Sequence, residues 1–121
     1  MKRLAKAALN KVRRYLIVRQ VNKADVPQFA ASEVVRRHYI FAGKVQKVGF
    51  RLEVLELSKR LGLSGWCKNL PTGEVEAELQ GEAAKLDFLV AFMHSLKRIR
   101  IERMDVAEVP LLEEQGFAVT G

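Results

Sequence analysis

Gly43 and Gly49 bound a short loop that holds Lys44, Val45, Gln46, Lys47 and Val48, and Phe50-Arg51 follows where a helical pattern begins. Backbone N–H groups at the start of a helix have no intrahelical acceptor, and the helix dipole adds positive potential there. A loop entering a helix in this way attracts anions. Arg51 adds a planar, permanently charged fork that matches phosphate or carboxylate oxygens. Local chemistry alone supports capture of an anion at 43–51 and nothing more specific.

A second polar residue, Asn69, lies eighteen positions after Arg51 and just before Leu70-Pro71-Thr72-Gly73. Asparagine is common where a strand enters a turn, because its side chain bonds to nearby backbone. That structural role is its reading from local chemistry. Cys67 falls in a strand pattern and reads as a core or surface strand residue rather than a nucleophile. His38 and His94 are far apart with no partner pattern and read as structural. No Cys/His cluster has metal-ligand spacing, and no cofactor is expected. Lys97, Arg98, Arg100 and Arg103 read as a solvated strand edge that discourages edge pairing.

The elements that must position these groups follow from hydrophobic periodicity. Val34–Ala42 reads as a strand, Phe50–Leu61 as a helix closed by Gly62, and Leu63–Asn69 as a second strand. In Val75–Leu79 the apolar residues Val75, Ala77 and Leu79 alternate with Glu74, Glu76 and Glu78, so one face is core and the other is wet. Gly81 is expected to break that strand. A helix over Glu82–Ser95 buries Leu86, Leu89, Val90 and Met93, a strand covers Ile99–Val109, and a short strand covers Phe117–Thr120. The order βαββαβ plus a terminal strand, with a tight turn joining strands two and three, predicts an α+β ferredoxin-like sandwich. Its two helices pack on one face of an antiparallel sheet.

The 121 residues suffice for one modest core. The net charge of +7 is concentrated in residues 1–33, which hold eight Lys/Arg and two acids. Residues 34–121 hold 13 Lys/Arg and 12 acids, so basicity says little about nucleic acid binding by the body. The sequence divides into a basic extension, 1–33, with a linker near Pro27, and a body, 34–121. Leu4, Ala5, Ala8, Leu9, Val12, Tyr15 and Leu16 share one helical face, with Lys2, Lys6, Asn10, Arg13 and Arg14 mainly opposite. Such a helix could dock on an anionic surface or a partner, or mediate an oligomer; otherwise the chain is a monomer. The body is expected to act without it. No apolar run spans a bilayer, and a lone cysteine suits a cytoplasmic setting.

Two motifs carry a family resemblance. Val45-Gln46-Lys47-Val48-Gly49-Phe50-Arg51 resembles the acylphosphatase signature Val-Gln-Gly-Val-x-Phe-Arg. Gly65-Trp66-Cys67-Lys68-Asn69-Leu70-Pro71-Thr72-Gly73-Glu74-Val75-Glu76 is similar to that family's Gly-x-Val-x-Asn-x-x-Asp-Gly-x-Val-Glu. The resemblance covers about residues 35–120 and implies that Trp66 is a core residue. It implies metal-independent hydrolysis of small acyl phosphates. Arg51 and the amides of Gln46, Lys47, Val48, Gly49 and Phe50 would bind the phosphoryl group, and Asn69 would orient the attacking water. The alternative is a phosphate- or RNA-binding module with little turnover. Three positions depart from the pattern. Lys47 stands where glycine is usual: if the position needs positive φ it strains the loop by about 1 kcal/mol or more, and alternatively it adds charge at the mouth that strengthens substrate attraction. Thr72 stands for the usual aspartate, and Leu96–Arg100 lacks a Gly-Pro often found there.

Overall fold

The structure is a computed structural model that describes residues 2–113 and 116–120, with side chains from residue 7 onward. Helix α1 covers Lys2–Lys23. Then follow β1 (Val34–Lys44), α2 (Phe50–Leu61), β2 (Ser64–Asn69), β3 (Val75–Glu82), α3 (Ala83–Ser95), β4 (Arg100–Val109) and β5 (Phe117–Thr120). The strands form one sheet in the order β4-β1-β3-β2-β5. All neighbours are antiparallel except β2 and β5, which run parallel, so the sheet is mixed at that edge.

The alternation in β3 decides which face is core. Val75, Ala77 and Leu79 are fully buried, together with Tyr39 and Phe41 of β1 and Cys67 of β2. Leu57 of α2 and Leu86, Leu89 and Met93 of α3 close over them. Opposite, Glu76 pairs with His38 at 2.7 Å and Glu78 with Arg36 at 2.6 Å. Trp66 is half-buried on this outer face, edge-on to His38, and not in the core. A strand residue next to buried Cys67 must point the other way.

Gly81 does not end β3. It pairs with Val35, and a Cβ there would lie 2.4 Å from Leu63, so the glycine permits close packing inside the strand. Gly62 does end α2, at φ 69°, and its amide bonds back to Lys59.

Helix α1 forms as its pattern predicts but presents a different face. Leu9, Val12, Tyr15 and Leu16 are exposed, whereas Ile17 and Val21 are buried in the common core. Arg60 of α2 also donates to the Val21 carbonyl. The side chains of Lys2, Leu4, Ala5 and Lys6 lie outside the described residues. The segment after α1 packs on α3, with Phe29 edge-on to Phe88 at 5.6 Å, and Ser32 Oγ accepts the Ala84 amide at 3.2 Å. That hydroxyl caps a helix whose own N-terminal residue, Glu82, supplies no side-chain cap.

Candidate active site

The loop between β1 and α2 is held at its carbonyls and left open at its amides. Arg98 Nε donates to the Val48 carbonyl at 2.8 Å, and Arg13 Nη1 donates to the Lys47 carbonyl at 3.1 Å. Among the described residues, the amides of Gln46, Lys47, Val48 and Gly49 donate to no backbone or side-chain acceptor. Four unpartnered N–H donors therefore lie just before α2, where the helix dipole favours an anion.

Two residues of this loop adopt positive φ. Gly49, at the N-cap of α2, has φ 80°, and Lys47 has φ 65°. Lys47 is the single non-glycine residue at positive φ among those described. Its position does need the left-handed region, so the side chain adds about 1–2 kcal/mol of backbone strain.

Arg98 was expected on a solvated edge and instead anchors the loop. It is partly buried and pairs with Glu53, which is completely buried on α2. Burial pushes the Glu53 carboxyl above its ordinary range, and Arg98 works against that shift. Arg103 also has partners, Glu74 and Asp105, while Lys97 and Arg100 are exposed.

The second motif is tied to the first by Gln46. Its Nε2 donates to the carbonyls of Leu70 and Glu74, at 2.8 and 2.9 Å, across the turn that follows Asn69. Thr72 fits the turn by accepting the Glu74 amide at 3.4 Å and donating to the Glu74 carboxylate at 2.8 Å. An aspartate could accept that amide equally well, so this departure is mild. The Asn69 Oδ1 atom is buried and has no hydrogen-bond partner among the described residues.

Arg51, Asn69, Lys47, Gly49 and Phe50 line one cleft of about 510 Å³, with Arg51 Nη1 3.2 Å from the Thr120 carbonyl of β5. Gln46 and Val48 belong to the same loop; Gln46 turns its side chain to the β2–β3 turn, and Val48 is buried. The opposite wall of the cleft comes from α1, through Asn10, Lys11, Arg13 and Arg14. Sequence reasoning missed Arg13, Arg98 and Glu53. Glutamate inside an apolar helix face is the one signal that could have pointed to a buried partner. Cys67 is fully buried below the cleft, and burial pushes its thiol up to about 12, so it is inert there as expected.

Two helices, α2 and α3, packed on a sheet built in the order βαββαβ define an α+β fold of the ferredoxin-like class. The acylphosphatase family model matches residues 37–119. The chain is 36% identical over 89 residues to an acylphosphatase of Roseiflexus sp. (strain RS-1), covering 72% of this chain and 96% of that one. It superposes on an acylphosphatase structure from Coxiella burnetii with TM-score 0.67 and 28% identity, over 72% of this chain and 93% of that one. For the Bacillus subtilis acylphosphatase the values are 0.66 and 27%, over 74% and 100%. The chain belongs to the acylphosphatase family and is a hydrolase of acyl phosphates. No helix among the described residues is long and apolar enough to cross a membrane.

Proposed function

We propose that the cleft performs the hydrolysis with Arg51 and the loop amides as phosphoryl ligands and Asn69 as the residue that orients water. The observation that carries this reading is the shared cleft itself. It brings Lys47 and Gly49, whose amides have no partner among the described residues, together with Arg51 and Asn69 around one space.

Arg51 and the amides of Gln46 to Phe50 hold the phosphoryl oxygens and stabilise the charge that grows on them. Asn69 holds a water through its side-chain amide and so aims an oxygen lone pair at phosphorus. The water oxygen bonds to phosphorus as the bond from phosphorus to the acyl oxygen breaks, and the electron pair leaves with the carboxylate. A phosphoryl oxygen takes the proton. The leaving carboxylate belongs to an acid with a pKa near ~4, so departure needs little proton donation. Positioning and fixed charge then supply most of the acceleration. A substrate small enough for this cleft and a cytoplasmic setting, consistent with one buried thiol, complete the reading.

The test is hydrolysis of benzoyl phosphate in the presence of a chelator. Wild type should turn it over. Arg51→Ala and Asn69→Ala should each lower kcat/KM by about a hundredfold or more, the scale for losing one preorganised transition-state ligand. Wild-type rates from either folded variant would remove those residues from the scheme, and no turnover by wild type would leave only an anion-binding module.

A further inference from the structure

The cleft carries more positive charge than one phosphoryl group uses. Lys11, Arg13, Arg14, Lys47 and Arg51 line it, no acidic residue does, and none of the five has a carboxylate partner among the described residues. A phosphoryl group brings at most about two negative charges at neutral pH. Arg13 is already committed to the Lys47 carbonyl. Lys11 and Arg14 are not bound to the loop, and they come from an element that packs on the body through Ile17 and Val21.

The cleft also extends beyond the loop. Leu52 and Leu55 of α2 line it, which carries it about one helical turn past the phosphoryl ligands, and Val119 of β5 adds further apolar wall. Its volume of about 510 Å³ exceeds what a phosphoryl group with a two-carbon acyl tail fills. An acyl chain lying on Leu52 and Leu55 would therefore face the cations of α1.

We propose that Lys11 and Arg14 form a second anion subsite, so that the enzyme prefers acyl phosphates whose acyl portion itself carries a negative charge. This rests on the assignment of the phosphoryl site to the loop and Arg51. Two cations in a partly enclosed, carboxylate-free cleft focus potential on the distal end of the substrate. Both side chains are solvent-exposed, so they attract a charged acyl end by Coulomb interaction and draw nothing from a neutral one.

The inference is tested by binding, so that it stands apart from turnover. Short ω-carboxyalkylphosphonates and alkylphosphonates of the same length are titrated calorimetrically into the full chain. Wild type should bind the carboxylated member about fivefold to tenfold more tightly, and the preference should shrink with added salt. In K11Q/R14Q the preference should fall to about twofold or less, with the melting curve showing a folded protein. K97Q/R100Q removes equal charge from exposed positions outside the cleft and should keep the preference. Equal wild-type affinity for the two classes, or equal loss of preference in both double variants, overturns the proposal. Loss of benzoyl phosphate hydrolysis with the preference intact would instead count against the hydrolytic scheme alone.

Discussion

Arg13 on α1 donates from Nη1 to the carbonyl of Lys47, 3.1 Å away, so the strained residue of the loop between β1 and α2 is held by a side chain from the N-terminal helix. Arg98 does the same for the next carbonyl, that of Val48. Two guanidinium groups fix the outward oxygens, and the amides of the same peptide run remain free. Preorganisation of this kind lets donors act on developing charge without reorganising during the reaction.

Lys47→Gly should stabilise the fold. Glycine enters the left-handed region without the Cβ penalty, a gain of about 1 kcal/mol, partly offset by its greater freedom when unfolded. The melting temperature should rise by a few degrees. Benzoyl phosphate KM should rise modestly at low salt because one cleft cation is lost. A drop in melting temperature would show that the lysine side chain contributes more than its backbone costs.

Gly49→Ala should destabilise by about 2 kcal/mol or more. Its φ of 80° disfavours a side chain, and a Cβ would sit 2.6 Å from Ile17 Cδ1. Because Ile17 is itself buried, that methyl has little room to retreat. Ile17→Val removes Cδ1, so the double variant should be less destabilised than the sum of the two singles. A double-mutant cycle in urea measures the difference, and simple additivity would mean that α1 does not press on the loop.

The elements that set the site were readable because their signals are local. The glycine pair, the alternating Val75, Ala77 and Leu79, and Gly62 after α2 each act within a few residues, and α2 begins and ends at Phe50 and Leu61 as the pattern requires. What escaped depended on contacts distant in sequence. The apolar stripe of α1 pointed to Leu9, Val12 and Leu16, yet the buried residues are Ile17, which lies against Gly49, and Val21, whose carbonyl Arg60 holds. Arg98 looked like one of several edge cations, since nothing near it in sequence reveals that Glu53 is buried opposite.

Stability should fall on the acid side in a way that Glu76→Gln reports. The bond to His38, with help from Lys68 and against some desolvation, holds the Glu76 carboxyl below its ordinary value of 4.5. A carboxyl with a depressed folded-state pKa contributes stability that is fully present above its unfolded value and is lost as pH falls through the folded one. The wild-type advantage over Glu76→Gln in urea midpoint should therefore be present at pH 7 and shrink below about pH 4. Glu53, whose pKa is raised by burial, slopes the other way: its ionisation costs the fold as pH rises above the ordinary carboxylate value. A constant gap across the acid range would assign Glu76 a packing role only.

Removal of residues 1–24 should harm both stability and catalysis, contrary to the independence that composition suggests for the body. Ile17 and Val21 are almost completely buried, and each such side chain is worth about 1.5–3 kcal/mol. Their loss uncovers apolar surface on α2, frees Arg60 from the Val21 carbonyl, and releases the Lys47 carbonyl from Arg13. The truncated protein should melt at least several degrees lower. At a temperature where it is still folded, kcat on benzoyl phosphate should drop, because the loop amides lose one of their two anchors. Arg13→Ala separates the effects, since it leaves Ile17 and Val21 in place: it should lower kcat with a smaller change in melting temperature. If truncation costs stability but Arg13→Ala leaves kcat untouched, α1 acts as core alone and the loop is held by Arg98.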